Sequence, residues 1–215
     1  VEDTFDSEGK NITELSVKVE ATKSDDGMAI ELELGDELKK AVIEKAVEKK
    51  ADNIVIRNDK LSDELEKASD AANVKLDADF VNEIINKTDS TLTVDTPVGS
   101  VRFDRKALKA VQNQIGDAKI LKIHLKIESN DDYSHIVGEN ALVVSVSMLA
   151  DSGRITDFGD GKVRIKLEIP KALANKNLIA VFIGENNSLE RFEGDIVESK
   201  YYCFDVNHFS VYALA

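Results

Sequence analysis

The sequence contains no tryptophan, one cysteine and two prolines among its 215 residues. The single cysteine, Cys203, cannot form an internal disulfide, and its isolation excludes a zinc site built on paired thiolates. With 8 phenylalanines and 4 tyrosines, the chain has few residues for the exposed aromatic platforms that stack on sugars and bases. No apolar run approaches the roughly 18–20 residues that a membrane helix needs, so membrane insertion is not expected.

The charge balance is strongly acidic. The chain has 28 Lys and Arg against 41 Asp and Glu, which gives a net charge of −13. Such a surface repels phosphate, so no nucleic-acid partner is expected. Because acids are so numerous, pairs of carboxylates at hydrolase-like spacing carry no information about catalysis. The sequence also lacks a P-loop, a dinucleotide-binding glycine motif and a zinc-protease motif, and we therefore expect a protein that is not an enzyme.

The predicted fold class is α+β, with two parts. Residues 1–128 are predicted to form an α/β layered domain of three strand–helix–strand units, because alternating apolar stretches are followed by amphipathic helices. Asp36 and Asp104 are the predicted N-caps of two of these helices. The predicted strands are 12–21, 28–34, 53–57, 73–76, 91–95, 100–103 and 120–127, and the predicted helices are 36–50, 79–86 and 105–115.

The composition changes after residue 128. Residues 128–140 are polar and rich in turn formers, and they predict a junction. Beyond them, short strands separated by Gly or Asn turns predict a β-sandwich-like domain over residues 129–215. The predicted strands are 142–148, 162–169, 178–183, 188–192, 201–206 and 209–214, with a turn at 184–187 between the third and the fourth.

Calcium is the one cofactor for which the sequence offers candidate ligands. Asp157 and Asp160 lie in a loop-like stretch with Gly159, and carboxylate oxygens on loops are ligands that Ca²⁺ prefers. The alternative interpretation is that Asp and Gly only form a turn there. The histidines, His124, His135 and His208, are far apart in sequence and predict no metal pair.

Four stretches together carry a resemblance to a known class of proteins. They are LTVDTPVGSVRFDRKA at 92–107, ITDFGDGKV at 155–163, GENNSLERF at 184–192 and NHFSVY at 207–212. In this combination the chain resembles the β-rich repeat module of Gram-positive cell-surface or S-layer-associated proteins. The resemblance implies an extracellular location at the cell surface or cell wall, and a non-catalytic role as a structural spacer or adhesion module. The partners it implies are other domains of the same surface protein, and cell-wall or extracellular polysaccharide or protein.

Two alternatives stay open beside that interpretation. One is a carbohydrate- or protein-binding module of a surface enzyme complex, in which a carbohydrate binder would show exposed Tyr or Phe in a row. The other rests on His208-Phe209-Ser210, which is similar to the end of ZU5-type domains, some of which cleave their own chain. That resemblance implies cleavage between Phe209 and Ser210, with Ser210 as the nucleophile and His208 as the base. A simpler interpretation is that His208 and Ser210 form hydrogen bonds while Phe209 packs into the core.

Overall fold

A computed structural model of the chain describes residues 2–5, 11–185 and 188–215. Within these residues the protein has a mixed α/β fold with two mixed sheets, which confirms the predicted mixture of helices and strands. None of the described helices is both long enough and apolar enough to cross a membrane. The helices are α1 (Asp36–Lys49), α2 (Asp63–Glu66), α3 (Ala78–Lys87), α4 (Arg105–Ile115) and α5 (Ser134–Val137), with 3-10 turns at Asn130–Asp132 and Lys171–Leu173.

The strands match most of the predicted ones and add several short ones that the sequence pattern did not indicate, among them β1, β11 and β15. Part of the turn predicted at 184–187 lies outside the described residues. In chain order the strands are β1 (Glu2–Phe5), β2 (Asn11–Val19), β3 (Thr22–Lys23), β4 (Ile30–Glu33), β5 (Asn53–Asn58), β6 (Ala71–Asp77), β7 (Thr91–Asp95), β8 (Ser100–Phe103), β9 (Ile120–Glu128), β10 (Leu142–Ala150), β11 (Gly153–Ile155), β12 (Val163–Glu168), β13 (Ala180–Ile183), β14 (Leu189–Phe192), β15 (Gly194–Val197), β16 (Tyr201–Val206) and β17 (Val211–Leu214).

The chain distributes its strands over both sheets. The first sheet has the order β1-β2-β5-β7-β8-β12-β16-β15, and the second has β14-β13-β17-β10-β9-β6-β4-β3 with β11 added beside β10. The β2–β5, β5–β7 and β4–β6 pairs are parallel, and the other described pairs are antiparallel. The strand–helix–strand pattern in the first half therefore alternates between two sheets and does not build one layer.

Neither sheet breaks at residue 128, where the sequence analysis divides the chain. In the first sheet β8 pairs with β12, and in the second β9 pairs with β10, so both sheets contain strands from both sides of that position. The inner faces of the two sheets contribute to one hydrophobic core, which the buried faces of α1, α3 and α4 extend. The two predicted parts thus share their sheets and their core.

The segment predicted as a junction, residues 128–140, begins at the last residue of β9 and then packs on the outer face of the second sheet. Tyr133, Ile136 and Val137 are half-buried there against a small apolar cluster that is separate from the main core. This cluster consists of Val143 on β10, Ile183 on β13 and Ala213 on β17, together with Val211. The segment therefore covers the sheet and is not an extended linker.

Of the two N-caps predicted from the sequence, one is confirmed by a side-chain hydrogen bond. Asp104 accepts a hydrogen bond from the Ala107 N–H at 2.7 Å and caps α4, as predicted. The prediction for Asp36 is wrong by one position, because Gly35 occupies the N-cap of α1 and Asp36 is its first helical residue. Its carboxylate instead accepts a hydrogen bond from Lys39 at 3.0 Å.

Candidate functional site

The structure brings together the two C-terminal stretches that the sequence analysis singled out. Asp157 and His208 form an isolated antiparallel bridge. The Phe158 N–H donates to the Asn207 carbonyl at 2.8 Å, and the Phe209 N–H donates to the Thr156 carbonyl at 2.9 Å. We call residues 156–161 and 207–210 the motif seam, because their backbones join the approach to β12 in the first sheet with the approach to β17 in the second.

Three phenylalanine rings fill the space beneath the motif seam. Phe158 and Phe209 meet edge to face with ring centroids 4.8 Å apart. Phe103 from β8 lies 5.8 Å from Phe158 and 5.7 Å from Phe209, also edge to face. All three rings are buried, and edge-to-face pairs at such distances are favourable beyond the area they bury. The triad is therefore a tightly packed part of the core that both motifs share.

The His208 and Ser210 side chains do not form the pair that self-cleavage would use. The His208 ring nitrogen Nδ1 bonds with the Asn207 Oδ1 at 3.1 Å, and the ring packs edge-on against Phe182 at 4.8 Å. Within the described part of the chain no hydrogen bond joins the His208 ring to the Ser210 hydroxyl, and the peptide between Phe209 and Ser210 is trans. Self-cleavage stays a prediction, while the hydrogen bond of His208 and the packing of Phe209 agree with the simpler interpretation.

The backbone on either side of Phe209 is held by neighbouring strands and by a buried phenol. The Ser210 carbonyl accepts a hydrogen bond from the Val146 N–H at 2.8 Å. The Tyr212 hydroxyl donates to the His208 carbonyl, and burial raises the pKa of this phenol well above its usual range. Tyr212 therefore stays neutral and keeps its proton available for that hydrogen bond.

The two candidate calcium ligands occupy a tight turn. The Asp157 Oδ1 accepts a hydrogen bond from the Gly159 N–H at 2.7 Å, and the Gly161 N–H donates to the Phe158 carbonyl at 2.9 Å. Asp160 is exposed on the same turn. Among the described residues no three His, Cys, Asp or Glu side chains come together as metal ligands. Calcium binding at Asp157 and Asp160 stays a prediction, while the hydrogen bonds are those of a turn.

A groove of about 450 Å³ lies between α1 and α3, away from the motif seam. At its centre the Lys39 ammonium donates to the carboxylates of Asp36 and Asp77. Burial lowers the pKa of Lys39, but the hydrogen bonds to Asp77 and Asp36 outweigh it and raise the pKa overall. Lys39 is therefore a charged structural link between the two helices and not a nucleophile.

Polar side chains also cross the outer face of the second sheet. The His124 Nδ1 on β9 is 2.7 Å from the Asn73 Oδ1 on β6, and the two residues are cross-strand partners. An amide oxygen only accepts, so His124 carries its proton on Nδ1. Strand alternation places both residues on one face, but the pairing of β6 with β9 was not predictable from the sequence.

His124 predicts a pH dependence of stability. Burial, followed by the charge of Lys122, lowers the pKa of this imidazole below its usual 6.5. Because the unfolded chain binds the proton more tightly, the free energy of unfolding should decrease as the pH falls below about 6.5 and through the lowered pKa. Chemical denaturation from pH 7.5 to 5 measures this decrease. His124→Gln should flatten the profile, whereas His135→Gln, at an exposed position, should leave it unchanged. An unchanged profile in His124→Gln would refute the assignment.

The aromatic side chains that the structure describes form no exposed row. Every described Phe and Tyr with a described side chain is buried or half-buried, and the exposed large apolar side chains are all aliphatic. Cys203 is buried as well, and burial raises the pKa of its thiol.

No protein-family model matches the chain, and no curated protein matches it significantly. The resemblance to Gram-positive surface modules therefore stays a prediction that rests on the sequence phrases.

Proposed function

We propose that the chain is a non-catalytic structural module of a Gram-positive cell-surface protein, acting as a stiff spacer or adhesion domain outside the cell. Its partners on this proposal are the other domains of the same surface protein, and polysaccharide or protein at the cell wall. A spacer must hold the neighbouring domains at a fixed distance without bending, and it must not expose a large apolar surface. The two halves of the chain must therefore be joined without a hinge.

The observation that carries the proposal is the sharing of both sheets across residue 128. The β8–β12 and β9–β10 pairs join the halves by backbone hydrogen bonds in two separate layers. One hydrophobic core lies between the layers. Two domains joined by a single linker move relative to each other by default, whereas a doubly shared sheet removes such a hinge.

The placement of β17 supports the same role. This strand is paired on both sides, with β10 and with β13, and Tyr212 and Leu214 bury their side chains completely. Pulling β17 away therefore breaks its backbone hydrogen bonds to both β10 and β13. The motif seam adds backbone hydrogen bonds just before this strand, so a load on the C-terminal end meets a strand that is held on both sides.

Single-molecule force spectroscopy tests the proposal, with the chain placed between two marker domains. We expect one unfolding event that releases the whole chain, because neither half keeps its sheets without the other. As a matched control, a flexible insertion after Glu139, an exposed residue before β10, lengthens the connection but keeps both sheet pairings. It should preserve the single event.

Two outcomes contradict the proposal. Separate release of residues 1–128 and 129–215 would show two independent domains and would remove the stiff unit. Recovery of the native protein from the cytoplasm in fractionated host cells would remove the surface location. Both measurements are independent of any ligand.

A further inference from the structure

Two arginines lie side by side on the outer face of the first sheet. Arg102 on β8 and Arg164 on β12 are cross-strand partners, and both are half-buried. Like charges directly opposite on neighbouring strands are destabilising unless they are compensated. The arrangement therefore requires a source of negative charge close to both.

Among the described residues, only one of the two arginines has carboxylates within ion-pair distance. Arg164 forms ion pairs with Asp195 at 3.2 Å and with Asp205 at 3.1 Å. Arg102 donates from Nε to the Thr91 hydroxyl at 3.2 Å and forms no ion pair with a described carboxylate. In the part of the chain that the structure describes, Arg102 thus lies beside another arginine and has no carboxylate partner of its own.

Lys166 adds a second uncompensated cation next to Arg102. It follows Arg164 by two positions on β12, so both side chains point to the same outer face. Its ammonium lies 4.8 Å from the centre of the Tyr201 ring, and it forms no ion pair with a described carboxylate. The other cation of the central strands, Arg57, is paired with Glu14 and Asp95.

We propose that this face binds an acidic polysaccharide, and that Arg102 and Lys166 contact carboxylates on its sugar units. A guanidinium binds a carboxylate through two parallel hydrogen bonds, while an ammonium acts as a compact point charge. The face is an open sheet surface, which can lie along an extended polymer. The inference deepens the proposed function, on which it rests, because it names the partner of an adhesion module.

The spacing of charges along the polymer favours an acidic polysaccharide over more densely charged polyanions as the partner of this face. The net charge of −13 repels polymers that carry a charge on every short repeat, such as nucleic acid or polyphosphate. Two uncompensated cations instead match a polymer with widely spaced acidic groups. Because such contacts are electrostatic and partly exposed, the binding must weaken as salt is added.

Binding of hyaluronan, a polysaccharide with one carboxylate for every two sugar units, tests this inference when measured by calorimetry at low and at physiological salt. The wild type should bind this polymer and should not bind neutral dextran. Loss of a charge-assisted contact should weaken binding about tenfold in the double variant Arg102→Gln, Lys166→Gln. The matched control is Arg154→Gln, which removes an exposed arginine from β11 of the other sheet and should leave affinity unchanged.

Each other result contradicts the inference. These results are no binding of hyaluronan, equal binding by the folded double variant, an equal loss in Arg154→Gln, and tighter binding of polyglutamate or polyphosphate. Circular dichroism and the unfolding transition show whether the variants are folded, and Arg102→Lys restores a charge if Arg102→Gln is unstable. None of these results bears on the single unfolding event, so a failure here leaves the structural role intact.

Discussion

Replacing Phe209 by alanine is expected to lower the free energy of unfolding by about 3–5 kcal/mol, the range for removing a large ring from a core. The ring is 5% exposed and touches Phe103 and Phe158 edge to face. Its removal leaves a cavity between the two sheets, at the point where the motif seam holds them together. The surrounding strands cannot close this cavity, because both sheets are fixed there by backbone hydrogen bonds.

Urea denaturation at neutral pH measures the loss, and the neighbouring residues supply the controls. Phe209→Leu keeps most of the volume and should cost less than about 1.5 kcal/mol. Ser210→Ala and His208→Gln change half-buried side chains outside the triad and should stay within about 1 kcal/mol of the wild type. A larger loss in Ser210→Ala than in Phe209→Ala would contradict this interpretation, in which Phe209 and not Ser210 stabilises the motif by packing.

Local structure was largely predictable from the sequence, because alternation and helical spacing are local properties. Thr91–Asp95, Ser100–Phe103 and Tyr201–Val206 occur where the pattern predicts them, and the helix after Asp104 ends at Ile115. Short edge elements were missed for a physical reason. Strand β15 is mostly exposed and paired on one side only, so its residues carry little of the apolar alternation that marks a strand.

The partition of the strands between two sheets was not predictable from these patterns. Val101 and Leu121 are both fully buried, and nothing in their neighbours states that one belongs to the first sheet and the other to the second. Strand pairing depends on contacts between residues far apart in the chain. For this reason the sequence predicted two consecutive parts, whereas the structure interleaves them across residue 128.

The candidate site was predictable in part. Both halves of the motif seam were identified as unusual stretches, but their meeting depends on the Asp157–His208 bridge, which the sequence does not encode locally. The lack of an ion-pair partner for Arg102 among the described residues could not be inferred from the sequence either. The sequence shows only that Arg102 lies on a predicted strand. The strand register shows that its cross-strand neighbour is Arg164, and that Asp195 and Asp205 form ion pairs with Arg164.

The second large effect is expected at Gly161, where the sequence indicates no more than a turn. A methyl group on this residue would lie 2.3 Å from the Ala107 nitrogen and 2.5 Å from its Cα, at the start of α4. These are backbone atoms of a capped helix, so they cannot move aside as a flexible side chain would. We expect Gly161→Ala to lower the free energy of unfolding by about 3 kcal/mol, at the upper end of overpacking costs, as measured by urea denaturation.

Gly159, two residues earlier in the same turn, separates this packing effect from backbone strain. Its φ is +56°, in the left-handed region, but open space surrounds the position where a Cβ would lie. Gly159→Ala should therefore cost only the conformational penalty of about 1–2 kcal/mol. A loss in Gly161→Ala no larger than in Gly159→Ala would contradict the close contact of this turn with α4. We expect Gly161→Ala to be more destabilising than Gly159→Ala, because Gly161 lies just before β12 and in contact with the start of α4.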